Sequence, residues 1–327
     1  MAFMTVMAIS VLAFIIIELP EGDSVTRAMD QYMTVGSTQY NPEIVAHWRS
    51  YFGIDRPQYI RYLQWVGNLA QADMGLSLWH HPCDSLFQQR AISEVIGDRL
   101  WLTVVLTGFT VIVTWTFAIP VGIYSAVRQH SVGDYFFTFI GFSGLAVPDF
   151  LLGLVLMYVA FAYFDQSVGG LLSADYEEAP WNLAKWLDLI NHLWVPAIVL
   201  GTSGTAGLIR VMRNNLLDEL SRPYVITAHA KGVHPAKIII KYPVRVAINP
   251  LISTVGYLLP SLVSGSIIVS VVLSLPTLGP VLLDSIRMQD VYLAGFIILM
   301  TGVLTVVGTL VSDILLGIVD PRIKLSR

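Results

Sequence analysis

Cysteine and charge are both scarce in this sequence of 327 residues. The single cysteine, Cys83, excludes a fold held together by disulfides within the chain. Only 13% of the residues are charged, whereas about 25% is usual in soluble domains, and 55% are hydrophobic. The mean hydropathy of +0.66 agrees with this composition. Together these values predict a protein whose solvent is largely lipid.

Signatures of catalysis and of nucleotide binding are also missing. The sequence has no G-x-x-x-x-G-K-[ST] motif, and its polar segments are too short for a nucleotide-binding domain, so any ATP hydrolysis must occur in another chain. No Ser/His/Asp, Cys/His or paired-carboxylate arrangement stands out, which makes a membrane hydrolase the least favoured hypothesis. The potential ligands of His80-His81-Pro82-Cys83 are nearly adjacent, so we interpret this tract as an exposed loop rather than a metal site. We expect no metal, cofactor or nucleic acid.

Six apolar segments predict an all-α membrane protein with six transmembrane helices. Residues 1–19 form the first helix; a secretory signal peptide is the rival interpretation, but a basic lead and an A-x-A-like site are missing. Residues 99–327 form a five-span core. Its spans are predicted at 100–127, at 135–164 with a kink at Pro148, and at 193–212, 246–275 and 291–319.

Residues 20–98 are polar and predict a mostly helical extracytoplasmic segment. Asn41 and Pro42 are typical of a helix start and Gly53 of a helix end, which places one helix at 43–52. A second helix begins near Pro57. A third is predicted at 84–96.

Positive charge orients the chain. Segments 128–134, 210–245 and 320–327 hold eleven of the nineteen lysines and arginines, and positive charge is retained on the cytoplasmic side. Both termini are therefore predicted to be cytoplasmic.

The loop 210–245 is the largest polar interruption between two spans. Residues 210–250 carry seven Lys/Arg against two acids, Asp218 and Glu219. Small residues and the stop at Gly232 predict a short helix that can lie in a groove of another protein, and Pro235 predicts the start of a second helix. The alternative is a basic juxtamembrane loop that holds anionic lipid.

The stretch Tyr224–Gly232, with the residues that follow it as far as Pro250, resembles the coupling-loop signature of ABC importer permeases. The likeness is closest to the first permease subunit of the oligopeptide, dipeptide and nickel branch, and it extends over nearly the whole chain in the family's order. The other matching segments are Phe52–Pro57, Tyr62-Leu63, Asp73–Ser77, Val147–Gly153, Ser274–Gly279, Gln289-Asp290, Asp313 and Asp320–Ile323.

The resemblance implies that the loop is a coupling helix docked into a separate ATPase. The coupling residues are then Thr227, Ala228, His229, Ala230, Lys231, Gly232, Val233, His234, Pro235 and Lys237. The implied partners are a second homologous permease, two ATP-binding subunits that use ATP and magnesium, an extracytoplasmic substrate-binding protein and membrane lipid. The implied location is the bacterial inner membrane, with multiple spans.

The sequence departs from the family pattern at Ile226, Tyr242, Pro243 and Val246. Because a proline inside a helix removes a hydrogen bond, Pro243 predicts that the second helix of the loop breaks near Lys241-Tyr242.

Asp149, Ser203 and Thr205 are candidates for the translocation path, because polar groups inside a span are costly. A local role beside Pro148 stays open for Asp149, as does helix packing for the small residues of Gly201–Gly207. Peptides are the implied cargo, with oligosaccharide, nickel or glutathione as alternatives. An ion-coupled secondary transporter is the alternative from a different class.

Overall fold

The structure is a computed structural model that describes residues 2–34, 42–77, 90–164, 166, 169–177, 179–256 and 267–319. Within these ranges the regular elements are helical except for one pair of two-residue strands, Leu76–Ser77 (β1) and Arg90–Ala91 (β2). The strands are antiparallel, with Leu76 opposite Ala91. The all-α class predicted from the apolar segments is confirmed.

The helices follow one another closely along the chain. In the first third they are α1 (Ala2–Glu18), α2 (Ser24–Thr34), α3 (Pro42–Tyr51), α4 (Gln58–Ala70) and α5 (Ile92–Val127). The middle of the chain forms α6 (Val132–Ala146), α7 (Asp149–Phe164), α8 (Ala174–Glu177) and α9 (Leu183–Leu220). The remainder forms α10 (Pro223–Ala230), α11 (Pro235–Lys241), α12 (Pro243–Ala247), α13 (249–256), α14 (Ile267–Val272), α15 (Leu278–Arg287) and α16 (Val291–Val319).

Four helical stretches in the described residues are long and apolar enough to cross a membrane: Ile92–Val127, Leu183–Thr202, Pro235–Gly256 and Val291–Val319. The pair α6 and α7 makes a fifth if it counts as one broken span. Helix α1 has 17 residues and is about 26 Å long, slightly short of the ~30 Å hydrocarbon layer. The count of six spans stays a prediction.

The predicted kink at Pro148 is instead a complete break. Helices α6 and α7 meet at 104°, so the expectation of one kinked helix over 135–164 is wrong. Val147 takes an extended conformation (φ −86°, ψ 126°), as expected before a proline, whose ring disfavours the helical region for the preceding residue. Asp149 therefore begins a new helix.

Two helices begin earlier than predicted. Helix α9 begins at Leu183 rather than Leu193, because the Asn182 side chain caps it by accepting a hydrogen bond from the Lys185 N–H at 2.8 Å. Helix α5 begins at Ile92 rather than near Arg99. The third predicted helix of the polar segment is corrected accordingly: residues 84–89 lie outside the described residues, and from Ile92 the chain belongs to α5.

The chain divides into two compact units. The first comprises residues 1–103 and 277–304, and it contains the predicted helices at 43–52 and after Pro57, as α3 and α4. Val25 and Met29 of α2 pack there on Val45 of α3. Fully buried Asp290 accepts hydrogen bonds from the Ser77 hydroxyl at 2.7 Å and from the Leu293 N–H at 3.1 Å, so it caps α16 and fixes β1 to it.

The second unit comprises residues 104–276 and 305–327. Its core joins Ala118 of α5, Met212 and Leu216 of α9, and Leu251 of α13. Small residues permit this packing: a Cβ on Gly201 would lie 2.8 Å from the Thr114 hydroxyl oxygen. The packing interpretation is therefore confirmed for Gly201, whereas a Cβ on Gly204 or Gly207 would meet nothing within 4 Å.

We predict that Asp23 makes the stability of the first unit dependent on pH. Asp23 caps α2 by accepting from the Thr26 N–H at 2.9 Å, and it forms an ion pair with Arg49 of α3. Burial alone would raise the pKa of Asp23, but the bonds from Thr26 and Arg49 outweigh it and hold the pKa below its usual range. Because the pKa of Asp23 is lower in the folded chain than in the unfolded chain, ionised Asp23 stabilises the fold at pH values above the unfolded-state pKa of about 3.9. This stability is lost as the pH falls from there through the pKa of the folded state.

Replacing Asp23 by Ala removes the cap and should cost about 1 kcal/mol of local stability, measured by hydrogen exchange of the α2 amides. Asp23→Asn keeps a cap acceptor but should abolish the pH dependence below about pH 4. The exposed Asp55→Asn is the control. Unchanged exchange in Asp23→Ala would contradict this assignment.

Candidate functional site

The loop predicted to couple the chain to a partner is a helical hairpin formed by α10 and α11. Helix α10 begins at Pro223, which suits a first helical position because its missing N–H has no partner there in any helix. The Thr227 hydroxyl donates to the Pro223 carbonyl at 2.8 Å, and the Tyr224 hydroxyl donates to Glu219 at the end of α9. The start of the hairpin is thereby fastened to α9.

The turn after α10 depends on the left-handed backbone of Gly232, whose φ is +71°. The Gly232 N–H donates to the His229 carbonyl at 2.9 Å, and the Val233 N–H donates to the Ala228 carbonyl at 3.3 Å. This pair of bonds is the Schellman motif, which closes a helix and satisfies its last carbonyls. The predicted stop at Gly232 is confirmed.

A small apolar core holds the two helices of the hairpin together. Val225 and Ala228 of α10 and Ile238 of α11 are buried, and Val233 and Tyr242 pack against them. Ala228 and Val233 therefore stabilise the hairpin from inside, although the sequence placed them with the residues that contact a partner. Ala230 and Gly232 are exposed.

The second helix begins at one proline and ends shortly before another, as the sequence predicted. Pro235 is the first residue of α11, and the helix stops at Lys241. Tyr242 lies between the two helices with a distorted right-handed backbone (φ −111°, ψ −77°), and Pro243 is the first residue of α12. The predicted break near Lys241-Tyr242 is confirmed.

The hairpin is mounted on the apolar helices of the second unit. The Arg245 Nε donates to the Val319 carbonyl at the end of α16 at 2.6 Å. Ala247 of α12 belongs to the same buried core as Met212 and Leu216 of α9. Short segments therefore connect the hairpin to α9 and α12, and one hydrogen bond connects it to α16.

The outer surface of the hairpin is basic. Residues 221–245 contain five lysines and arginines and no acid. Eight of the ten predicted coupling residues lie on it or at its edge, with exposed side chains or backbone: Thr227, His229, Ala230, Lys231, Gly232, His234, Pro235 and Lys237. Ile226 and Ile240, 62% and 69% exposed, add apolar area to this surface.

The candidate path residues lie on two helices, α7 and α9. Asp149 lies in the first turn of α7, partly exposed, and within the described part of the chain it has no hydrogen-bond or ion-pair partner. The Thr205 hydroxyl on α9 donates to the Gly201 carbonyl of its own helix at 2.6 Å. The side chain of Ser203 lies outside what the structure describes. Their role in a path stays a prediction.

Sequence reasoning missed an ion pair that joins α6 to α9. Arg213 donates two hydrogen bonds to Asp134, at 3.2 and 3.1 Å, and Asp134 is buried. The Asp134 N–H donates to the Ser131 hydroxyl at 3.1 Å, and the carboxylate accepts from the His130 N–H at 3.0 Å. The spacing Ser131-x-x-Asp134 is a capping-box pattern and could have indicated the helix start, though not the distant partner.

No cluster of three or more His, Cys, Asp or Glu side chains suited to a metal occurs among the described residues. The tract His80–Cys83 lies outside them.

Comparison with known proteins decides the family. Residues 118–325 match the family of binding-protein-dependent transport system inner membrane components. The chain belongs to this family. It is 35% identical to the oligopeptide transport system permease protein AppB of Bacillus subtilis over 99% of this chain and 96% of that protein.

Two further relatives cover the chain almost fully. They are the di/tripeptide transport system permease protein DppB of Pseudomonas aeruginosa (30% identity, 99% of this chain and 96% of the relative) and the dipeptide transport system permease protein DppB of Escherichia coli (26%, 98% and 95%).

As a member of this family, the permease is a multi-pass protein of the bacterial inner membrane. It is the transport component of its system and not the catalytic component. It works with a substrate-binding protein, a separate ATPase and a second permease. The hairpin lies within the matched region, so its geometry concerns the part of the chain that defines the family.

We predict that adding a Cβ has opposite effects at two glycines of the permease. Nothing lies within 4 Å of a Cβ on Gly232 or on Gly204, so neither substitution causes a clash. Gly232→Ala should destabilise the hairpin by about 1–2 kcal/mol because its φ is left-handed. Gly204→Ala, inside a helix, should stabilise by roughly 0.5–1 kcal/mol. Hydrogen exchange of α10 and α9 measures both, and equal effects would contradict the conformational argument.

Proposed function

We propose that this chain is a permease subunit of an ATP-driven ABC importer of peptides, and that the α10–α11 hairpin is its docking element for the ATPase. The peptide cargo is supported by the names of its relatives, which are oligopeptide, di/tripeptide and dipeptide permeases, and by their coverage of almost the whole chain. Oligosaccharide, nickel and glutathione are the other cargoes to be tested.

The observation that carries the docking proposal is the rigid mounting of an exposed basic hairpin. Its internal core and the Schellman turn at Gly232 fix the shape of the hairpin. The short connection to α12 and the bond from Arg245 to the end of α16 fix its position within the second unit. A rigid protrusion with small residues such as Ala230 at its surface suits insertion into a cleft of a partner protein.

The proposed mechanism follows from this geometry. Two ATP-binding subunits bind ATP and magnesium, and their closure pushes the hairpin, around Ala228–Lys237, as a lever. Because packed helices move together as rigid bodies, this displacement of the hairpin tilts α9, α12 and α16. The tilt changes the side of the membrane to which the central passage opens. The second, homologous permease completes the passage, and the extracytoplasmic binding protein delivers the cargo.

The proposed orientation has both termini in the cytoplasm, where the ATPases reside. It is supported by the charge bias, since eleven of the nineteen lysines and arginines lie in the segments assigned to that side. The chain itself then needs no cofactor.

We predict that reversing charge on the hairpin uncouples transport. The double variant Lys231→Glu, Lys237→Glu should bind the ATPase at least about tenfold more weakly. A basic hairpin docks on an ATPase surface of complementary charge, and that surface would repel the two new carboxylates. Cargo-stimulated ATP hydrolysis and uptake by the reconstituted importer should fall together.

The control is Arg128→Glu, which reverses an exposed charge in the turn between α5 and α6, outside the hairpin. It should leave both activities near the wild-type level. Full uptake by the double variant, or equal loss in the control, would refute the docking role.

A further inference from the structure

Helices α1 and α16 pack side by side in the first unit and run in opposite directions. The Gln289 Nε2 donates to the Pro20 carbonyl at 2.8 Å, and a Cβ on Gly302 would lie 3.6 Å from the Ile9 Cδ1. The end of α1 and the start of α16 therefore lie at the same level. Because α16 is long and apolar enough to cross a membrane, this level marks one boundary of the lipid layer.

Helix α4 is fastened to α1 at this boundary. Arg61 of α4 forms an ion pair with Glu18, the last residue of α1, through contacts of 2.6 and 2.8 Å. The next residue, Tyr62, shares a hydrogen bond of 2.8 Å with the Ser10 hydroxyl. Ser10 lies about 12 Å before Glu18 along α1, which is a depth inside the lipid layer. Helix α4 therefore lies at the boundary, and its Tyr62 side chain reaches below it.

Trp65 points in the same direction from the next turn of α4. It is buried, and its ring centroid lies 6.1 Å from that of Phe14 on α1. A Cβ on Gly295 of α16 would lie 3.3 Å from the Trp65 ring, so this glycine leaves room for the indole. Gly295 lies about 6 Å beyond the first residue of α16. Two different helices thus assign α4 to the same level.

The remainder of α4 presents two exposed faces of different character. Tyr59 and Leu63, one turn apart, are 66% and 64% exposed. Gln64 and Asn68, also one turn apart, are exposed and polar. Helical geometry places Leu63 and Asn68 about 140° apart around the axis. A helix divided in this way at a membrane boundary lies along the interface, with its apolar face in lipid.

We propose that α4 is an interfacial helix that inserts Tyr59 and Leu63 into the lipid at the edge of the bilayer. The level of α4 selects lipid as the occupant of this face, because the side chains that α1 exposes near its end are also apolar: Ile15, Ile16 and Leu19. Tyrosine is enriched at this depth of a membrane, since its ring has an apolar body and a polar tip.

This placement of α4 gives the polar segment 20–98 a membrane contact of its own, although the sequence predicts that the whole segment lies outside the lipid. It rests on the membrane location of the family and on the contacts of α4 with α1 and α16. The role of the hairpin and the identity of the cargo do not enter into it.

The test is electron paramagnetic resonance of the full chain in lipid vesicles, with one nitroxide label at a time in a Cys83→Ser background. Molecular oxygen concentrates in lipid, whereas the neutral complex of nickel with ethylenediaminediacetate stays in water. The label on Leu63→Cys should collide often with oxygen and severalfold less with the nickel complex than the label on Asn68→Cys. The label on Tyr59→Cys should behave like that on Leu63→Cys.

Asn68→Cys is the matched control, because it lies on the same helix and is also exposed. The helical content of each labelled variant excludes misfolding as the cause of a difference. Equal collision of the nickel complex with the labels at Leu63 and Asn68 would show that water covers both faces, and it would overturn the proposal.

The same measurement on the assembled importer separates lipid from a protein partner. The oxygen and nickel accessibilities at Leu63 should stay as they are in the isolated chain. Loss of collisions with both reagents at Leu63, in the isolated chain or on assembly, would show that protein covers this face and would also overturn the proposal.

Discussion

The apolar contact of Val225 and Ala228 with Ile238 is the interaction on which the hairpin depends. Two short helices of eight and seven residues are not stable alone in water, so their shape comes from this core and from the Schellman turn that aligns them. With the inner face occupied in this way, the remaining side chains point outward. The basic surface is therefore a consequence of how the hairpin closes.

Prolines lie at several of the points where one helix ends and the next begins. Pro223, Pro235 and Pro243 each begin a helix, so three short helices lie between α9 and α13. Pro148 lies at the 104° break between α6 and α7. In contrast, Pro120 and Pro196 lie inside α5 and α9, where the surrounding packing maintains a continuous helix. The same residue type thus lies at the start of a helix or within a continuous helix according to its neighbours.

Local chemistry was predictable from the sequence, and distant contacts were not. The stop at Gly232 and the break before Pro243 follow from the backbone preferences of single residues, which the sequence states directly. Whether Ala228 faces inward or outward depends on where Ile238 lies across the hairpin, and the pairing of Asp134 with Arg213 joins residues 79 positions apart. The start of α9 was missed because hydropathy locates the apolar part of a helix, whereas Asn182 sets its first residue.

Cysteine cross-linking in the assembled importer tests the central claim most directly. In a Cys83→Ser background, a cysteine at exposed Ala230 and one at buried Ala228 differ only in the face of α10 that carries them. We expect Ala230→Cys to cross-link to the ATPase subunit, in a manner that changes when ATP binds, and Ala228→Cys not to cross-link. Efficient cross-linking of Arg128→Cys with none from Ala230→Cys would contradict it.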